Sequence, residues 1–286
     1  MPAFLALVAA LMFALGTVVQ QRAAMEVSDE DAMSAGILIR LAQRPIWLAG
    51  IAADALGFVA QAAALGLGRV IVVQPLLATA VVFALPIGAK LSGQQIVRRD
   101  VVAALAVTAG LGAFLVISDP SGGRDDGPIR TWILVGGGLC VIAGILAVAG
   151  SRAHARVKAA LFGTSAGLLF GLSAVLTKAV VDSLDEGVVA LLTDWHVYAL
   201  IAVGFASMTL SQISLQTGAL APAIATAMIF DPVASVVLGL TLLDEQIHDT
   251  PLGVTGSVLA LCVTFGGLIA LSSRPAAVEP APQPAT

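Results

Sequence analysis

Runs of about twenty apolar residues, separated by short polar punctuation, recur along the whole chain. A helix that crosses a membrane needs about 20 mostly apolar residues. Nine windows meet that length: 2–21, 46–66, 69–89, 101–118, 131–149, 158–181, 195–216, 219–242 and 251–272. The pattern predicts an all-α polytopic membrane protein of about nine transmembrane helices. The connections are short except at 22–45, 119–130 and 182–194. The first of these opens on the acidic cluster Glu26, Asp29, Glu30 and Asp31, read as solvated loop. It continues in "MSAGILIRLAQRP", amphipathic enough to lie in the membrane interface. Residues 274–286 form a Pro/Ala-rich tail expected to be disordered. The stretch after Met1 is apolar at once and has no basic leader, so it reads as a first span rather than a cleaved signal.

Composition agrees with this pattern. Of 286 residues, 58% are apolar and 11% charged, where a soluble domain carries about 25% charged residues. The net charge of −4 and the absence of a basic stripe argue against a nucleic-acid partner. Cys140 and Cys262 lie in apolar runs without metal or disulfide spacing. Arginine-over-lysine usage and the Ala/Val bias point to a bacterial cytoplasmic membrane. Loop cations set the expected orientation. Arg22, Arg40, Arg44, Lys90, Arg98, Arg99, Arg152, Arg156, Lys158 and Arg274 fall on one side; Arg69, Arg124, Arg130 and Lys178 fall on the other. The richer side is cytoplasmic, which places the N-terminus outside and the C-terminus inside.

The chain also repeats itself. "FALGTVVQQ" (13–21) aligns with "FGLSAVLTK" (170–178), Trp47–Ile96 aligns with Tyr198–Ile247, Gln61 falls on Gln212, and "GQQI" (93–96) falls on "DEQI" (244–247). Spans one to four then correspond to spans six to nine. An odd offset of five spans gives the copies opposite orientation, a recurring build of secondary transporters. The expected division is a first membrane repeat over 1–120, a second over 121–273, and the tail.

Chemistry at membrane depth is sparse. Asp231–Pro232 lies in the middle of span eight, and Gln74–Pro75 holds the matching place in span three, after a shift of about six residues. A polar residue followed by proline at corresponding points of two repeats predicts helix breaks at Pro75 and Pro232 around a midplane site; a kink with a structural acid is the alternative. Asp54, in span two, is the second intramembrane acid, with Gln61 seven residues on and on the same face. Gln212 and Gln216, one turn apart in span seven, are candidates to line a cavity. Gln21 and Lys178 occupy equivalent repeat positions at opposite mouths, where Lys178 either snorkels to water or lines a path. "GTSAG" (163–167) fits a hydrolase pattern, but Gly163, Gly167 and Gly171 form one small-residue face, expected to serve close helix contact. No nucleotide-binding motif, metal-ligand spacing or nucleophile–base pair appears, so the expectation is a non-enzyme with no cofactor and no metal, handling a small-molecule substrate in a lipid bilayer.

With "GLSAVLTKA" (171–179), "ALAPAIATAMIFDPVASVVLGLTLLDEQI" (219–247) and "GVTGSVLALCVTFGGLIAL" (253–271), the chain resembles the EamA-like branch of the drug/metabolite transporter superfamily. Pro232, Glu245 and Gly266–Gly267 carry the likeness in its second half. The resemblance implies a ten-helix bundle of two inverted halves, here lacking one leading helix, and an alternating-access carrier of small solutes, commonly an exporter and proton-coupled through a buried acid. The first half, "WLAGIAADALGFVAQAAALGLGRVIVVQPLLATAVV", also resembles the NIPA-type magnesium transporters, although Phe58 stands where those proteins tend to carry a glutamate. A divalent-cation carrier and a non-transporting membrane scaffold or lipid-handling protein are the two rival expectations.

Overall fold

In a computed structural model the apolar runs form helices, because a chain in lipid satisfies its backbone polar groups only within itself. The structure describes residues 1–25, 44–92, 95–185, 187–217, 219–247 and 250–272. The acidic cluster, the amphipathic segment to residue 43, His248 and the C-terminal tail lie outside the described residues. So does the side chain of Gln21.

The helices are α1 (Pro2–Met25), α2 (Pro45–Leu67), α3 (Val70–Leu77), α4 (Ala80–Ser92) and α5 (Arg98–Ser118) in the first part. There follow α6 (Ile129–Ser151), α7 (Ala155–Asp185), the short α8 (Val188–Thr193), α9 (Trp195–Gln216), α10 (Leu220–Leu242) and α11 (Pro251–Ser272). With α3 and α4 taken as one span, nine helices among the described residues are long and apolar enough to cross a membrane. Proline opens α2 and α11, where a missing N–H costs nothing. The Asp100 carboxylate closes the first turn of α5 by accepting from Val97 N at 2.9 Å.

Two local features depart from a plain bundle. Span three is broken: α3 stops at Leu77, and Ala78 and Thr79 bridge to α4 through tight turns closed by Ala78 N on Pro75 O and Thr79 N on Leu76 O. The expected second break is absent. The helix α10 runs unbroken through Pro232, because proline deletes one hydrogen bond and the flanking turns here are held by direct contact with α7. A two-residue antiparallel pairing also forms, β1 (Ser121–Gly122) with β2 (Glu245–Gln246), joining the loops that follow α5 and α10.

The helix α7 is the centre of the bundle. It packs against α6, α9 and α10 and touches α2 and α3. Around it, α1 packs on α2, α3 and α4, while α5 and α11 pair with each other. Lipid offers no hydrophobic drive for helices to associate, so close packing through small residues must supply it. The α7–α10 seam shows how. A Cβ on Gly167 would stand 2.7 Å from the Ala227 carbonyl oxygen, and one on Gly171 would stand 2.8 Å from that of Asp231. Gly163 faces Ala223 and Thr226 in the same way. Ser214 of α9 joins α7 by donating to Ala159 O at 2.7 Å. The α5–α11 seam rests on Gly110 against Ala260 and on Gly267 against Ala103.

Candidate functional site

The two intramembrane acids lie in different seams. Asp54 of α2 faces α1, where Gln20 Nε2 donates to its carboxylate at 2.5 Å. Gly16 leaves the room for it, since a Cβ there would collide with the acid. Gln61 on α2 is half-buried and Phe58 exposed. Asp231 of α10 sits against α7, with Ser235 Oγ 3.5 Å from its carboxylate. The structure therefore does not join Asp54 and Asp231 in one pocket. Each has its own local partner.

Span three supplies one of the buried polar atoms that lack a hydrogen-bond partner among the described residues, with Ser118 Oγ, Ser257 Oγ and His196 Nε2 the others. Gln74, one residue before Pro75, is 4% exposed, and its Nε2 has no hydrogen-bond partner. A buried polar atom without a partner costs about 1–3 kcal/mol. Nearby, Ile71 of α3 meets Gly239 of α10, and the two helices run antiparallel. Gln74 lies one turn further in than Ile71, and Ser235 one turn further in than Gly239. At a 1.5 Å rise per residue, that puts Gln74 and Ser235 within about 2 Å of the same depth. Asp231 lies one turn deeper still.

Lys178 and Glu245 form the charged end of the molecule. Lys178 does not snorkel to water. It is 6% exposed, and its Nζ donates to Leu65 O and Gly68 O, both at 3.1 Å, and pairs with Asp125 at 2.8 Å. A cation thus closes the carbonyl end of α2. Glu245 is 2% exposed and accepts from Val70 N at 2.7 Å and Ile71 N at 2.9 Å, so an anion closes the amide end of α3. Burial pushes the Glu245 carboxyl above its ordinary value. The Ile71 and Val70 amides and the Lys178 and Arg69 charges pull it partly back. Arg69 Nε reaches Gly122 O at 2.9 Å, Arg124 N reaches Leu243 O at 2.8 Å, and the Arg124 side chain pairs with Asp244. A cavity of about 210 Å³ opens among these groups, walled by Gly66, Gly68, Gly122 and Gly123. Together they latch one end of the bundle, tying α2, α3 and α7 to the loops after α5 and α10.

Beside the latch lies a second polar cluster. His196 Nδ1 is 2.6 Å from Asp194, its Nε2 is 3.2 Å from Asp126, and Trp132 Nε1 donates to Asp126 at 2.7 Å. Trp195 and Trp132 enclose the imidazole, with ring centroids 4.0 Å and 5.0 Å away. Burial alone would raise the Asp194 carboxyl, but hydrogen bonds from Ser183 and His196, with the His196 ring, hold it below its ordinary value.

The glutamines of α9 are not placed as expected. Gln212 and Gln216 are both exposed on α9 and line no enclosed site. The glutamines that do engage buried chemistry are Gln20 and Gln74. Among the described residues, no group of three or more His, Cys, Asp or Glu side chains is placed to hold a metal ion. The residues missed by sequence reasoning are Asp125, Asp126 and Asp194 in loops, His196 in the first turn of α9, and Gln20 near the end of α1.

Fold and site together define a multi-pass membrane protein with polar groups clustered at one helix break and one end of the bundle. An uncharacterized protein of Corynebacterium glutamicum is 31% identical over 271 residues, spanning 93% of this chain and 93% of its own length. The chain belongs to the family of that corynebacterial protein. No family model and no solved structure matches it.

Proposed function

We propose that the protein is a secondary transporter that moves a small solute across the membrane by alternating access, built from two inverted repeats as in the drug/metabolite transporter superfamily. The observation that carries this reading is the break in span three at Ala78–Thr79, with buried, unpartnered Gln74 beside it. Irregular backbone is tolerated at membrane depth where it serves a cavity or a neighbouring protein surface. On α10, Ser235 stands at nearly the depth of Gln74, with its Oγ 3.5 Å from the Asp231 carboxylate. Helix pairing supports the repeat. The first span packs on the second and third, the sixth on the seventh and eighth, and the fourth on the ninth. Exchanging spans one to four with six to nine maps the first set of contacts onto the second and the last pair onto itself.

In this reading the N-terminus is outside, the latch at Lys178 and Glu245 closes the outer mouth, and Asp231 carries the exchangeable proton. The family's uncharacterized member supplies no substrate. Reconstitution of the full chain into liposomes holding a pH indicator tests the proposal. Amino acids, amines, nucleosides, sugars and Mg²⁺ are added in turn under an imposed pH gradient. Solute-dependent proton movement that Asp231→Asn abolishes is the expected result. A correctly folded, reconstituted protein that moves neither solute nor protons for any class would sink the reading.

A further inference from the structure

The outer surface of the α5–α11 pair carries a groove of about 510 Å³ that the transport reading does not use. Its origin is visible in the sequence. Gly266 and Gly267 are consecutive on α11, and they point to different sides. Gly267 takes the backbone of Ala103 and Val107 against it, whereas Gly266 is exposed, with nothing within 4 Å of where a Cβ would stand. The helices are thus drawn together on one side and leave a cleft without side-chain filling on the other. Val102 and Val263, 58% and 49% exposed, form its rims.

The groove is apolar along its length and cationic at one end. Arg98 and Arg99 line that end and are exposed. Asp100, next in sequence, is 2% exposed and accepts from Val97 N. From Arg98 to Ala106, the lining follows α5 for eight residues, about 12 Å at 1.5 Å per residue. One leaflet of a hydrocarbon core about 30 Å thick has a depth of about 15 Å. A cleft that begins at two guanidinium groups and runs inward by nearly one leaflet matches a single lipid in both length and charge order.

We propose that the α5–α11 groove is a binding site for an anionic phospholipid, with the headgroup phosphate held by Arg98 and Arg99 and an acyl chain laid over Gly266. Guanidinium groups bind phosphate oxygens in a bidentate fork, which favours phosphate over neutral headgroup atoms. A lipid whose net charge is zero gains the same apolar contact without the unbalanced anion. The groove therefore discriminates by headgroup charge.

The test uses the full chain, purified in detergent and stripped of lipid, with melting followed as phosphatidylglycerol, phosphatidylcholine or glycerol phosphate is added. Phosphatidylglycerol should raise Tm by several degrees, phosphatidylcholine by much less, and glycerol phosphate, which lacks acyl chains, not at all. Arg98→Gln with Arg99→Gln should remove the preference for phosphatidylglycerol. Gly266→Leu fills the cleft from a position where space is open, so it should fold normally and lose the shift as well. Equal shifts with both lipids in the wild type, or a phosphatidylglycerol shift that survives in Gly266→Leu, would overturn the proposal. So would a dimer that Gly266→Leu separates while lipid has no effect, because the groove would then be filled by a second copy of the chain.

Discussion

Replacing Lys178 by methionine separates two accounts of a charged residue near the end of a membrane helix. If the ammonium only sought water, its loss would cost almost nothing. The structure instead gives it two carbonyl partners at the end of α2, which has no intrahelical donors left for them. The Leu65 carbonyl bond is buried, so losing its donor costs about 2 kcal/mol. Gly68 borders the open cavity, where water replaces the ammonium at about 0.5 kcal/mol. Asp125 is 56% exposed, and an ion pair with so solvated a partner contributes about 0–1 kcal/mol. Burying an ammonium is itself costly, and the variant relieves that cost. The net expectation is a loss of about 1–3 kcal/mol, or roughly 5- to 150-fold in the unfolding equilibrium. Unfolding in mixed dodecyl maltoside and dodecyl sulfate micelles, followed by the fluorescence of Trp132 and Trp195, reads it directly. Asp125→Asn in parallel should cost less than about 1 kcal/mol. If Lys178→Met unfolds like the wild type, the capping argument fails. If Asp125→Asn costs as much as Lys178→Met, the ion pair and not the helix end holds the lysine.

Three further outcomes are expected. Gly167→Ala should destabilise by about 1–3 kcal/mol, because its methyl group meets backbone across the α7–α10 seam; Gly137→Ala, with nothing within 4 Å, should be neutral or slightly stabilising in the same assay. Glu245 and Asp194 should titrate stability in opposite senses. The raised carboxyl of Glu245 contributes stability that is complete below its ordinary value of 4.5 and is lost as pH rises through its folded value. The lowered carboxyl of Asp194 contributes above its ordinary value of 3.8 and loses it as pH falls through its folded value. Tm measured against pH should therefore lose its high-pH decline in Glu245→Gln and its acid decline in Asp194→Asn; unchanged profiles in both variants would refute the assignment. Finally, Ser121→Cys with Gln246→Cys, in a chain whose Cys140 and Cys262 are changed to alanine, joins residues already paired across β1 and β2. The disulfide should stop solute flux and a reductant restore it. Undiminished flux in the oxidised protein would show that the latch need not open.

The helices were legible because each is a long apolar run with proline or charge at its ends. The break expected at Pro75 is displaced: α3 runs through Pro75 and is interrupted three residues later at Ala78–Thr79, so "VQPLL" marked the span and not the position. Pro232 misled because sequence shows the missing N–H and not the glycine face of α7 that holds the turn together. Gln212 and Gln216 misled for a related reason. The helix α9 carries Ser207, Thr209, Ser211, Gln212, Ser214 and Gln216 on several faces, so polarity does not mark which face turns inward. The snorkelling alternative for Lys178 fails because the carbonyls it closes belong to α2, 110 and 113 residues away in sequence. The cluster of Asp126, Asp194 and His196 was not legible as a whole, since the loop after α5 brings Asp126 to the first turn of α9, where Asp194 caps the helix and His196 follows it.

The length of α7 has a consequence for the membrane itself. Its 31 residues extend about 46 Å, against a hydrocarbon core of about 30 Å. Taken alone, such a helix would tilt or thicken the bilayer around it. Here α6, α9 and α10 clothe its middle, while its two ends, at Ala155–Val157 and at Asp182 and Leu184, stand exposed beyond them. Hydrophobic mismatch is therefore borne by the outer helices, above all α6 and α9, whose faces are open to lipid. A thinner or thicker bilayer would strain those helices against a central mast of fixed height. Membrane thickness thus becomes a variable that this fold can feel at its rim while its axis stays unchanged.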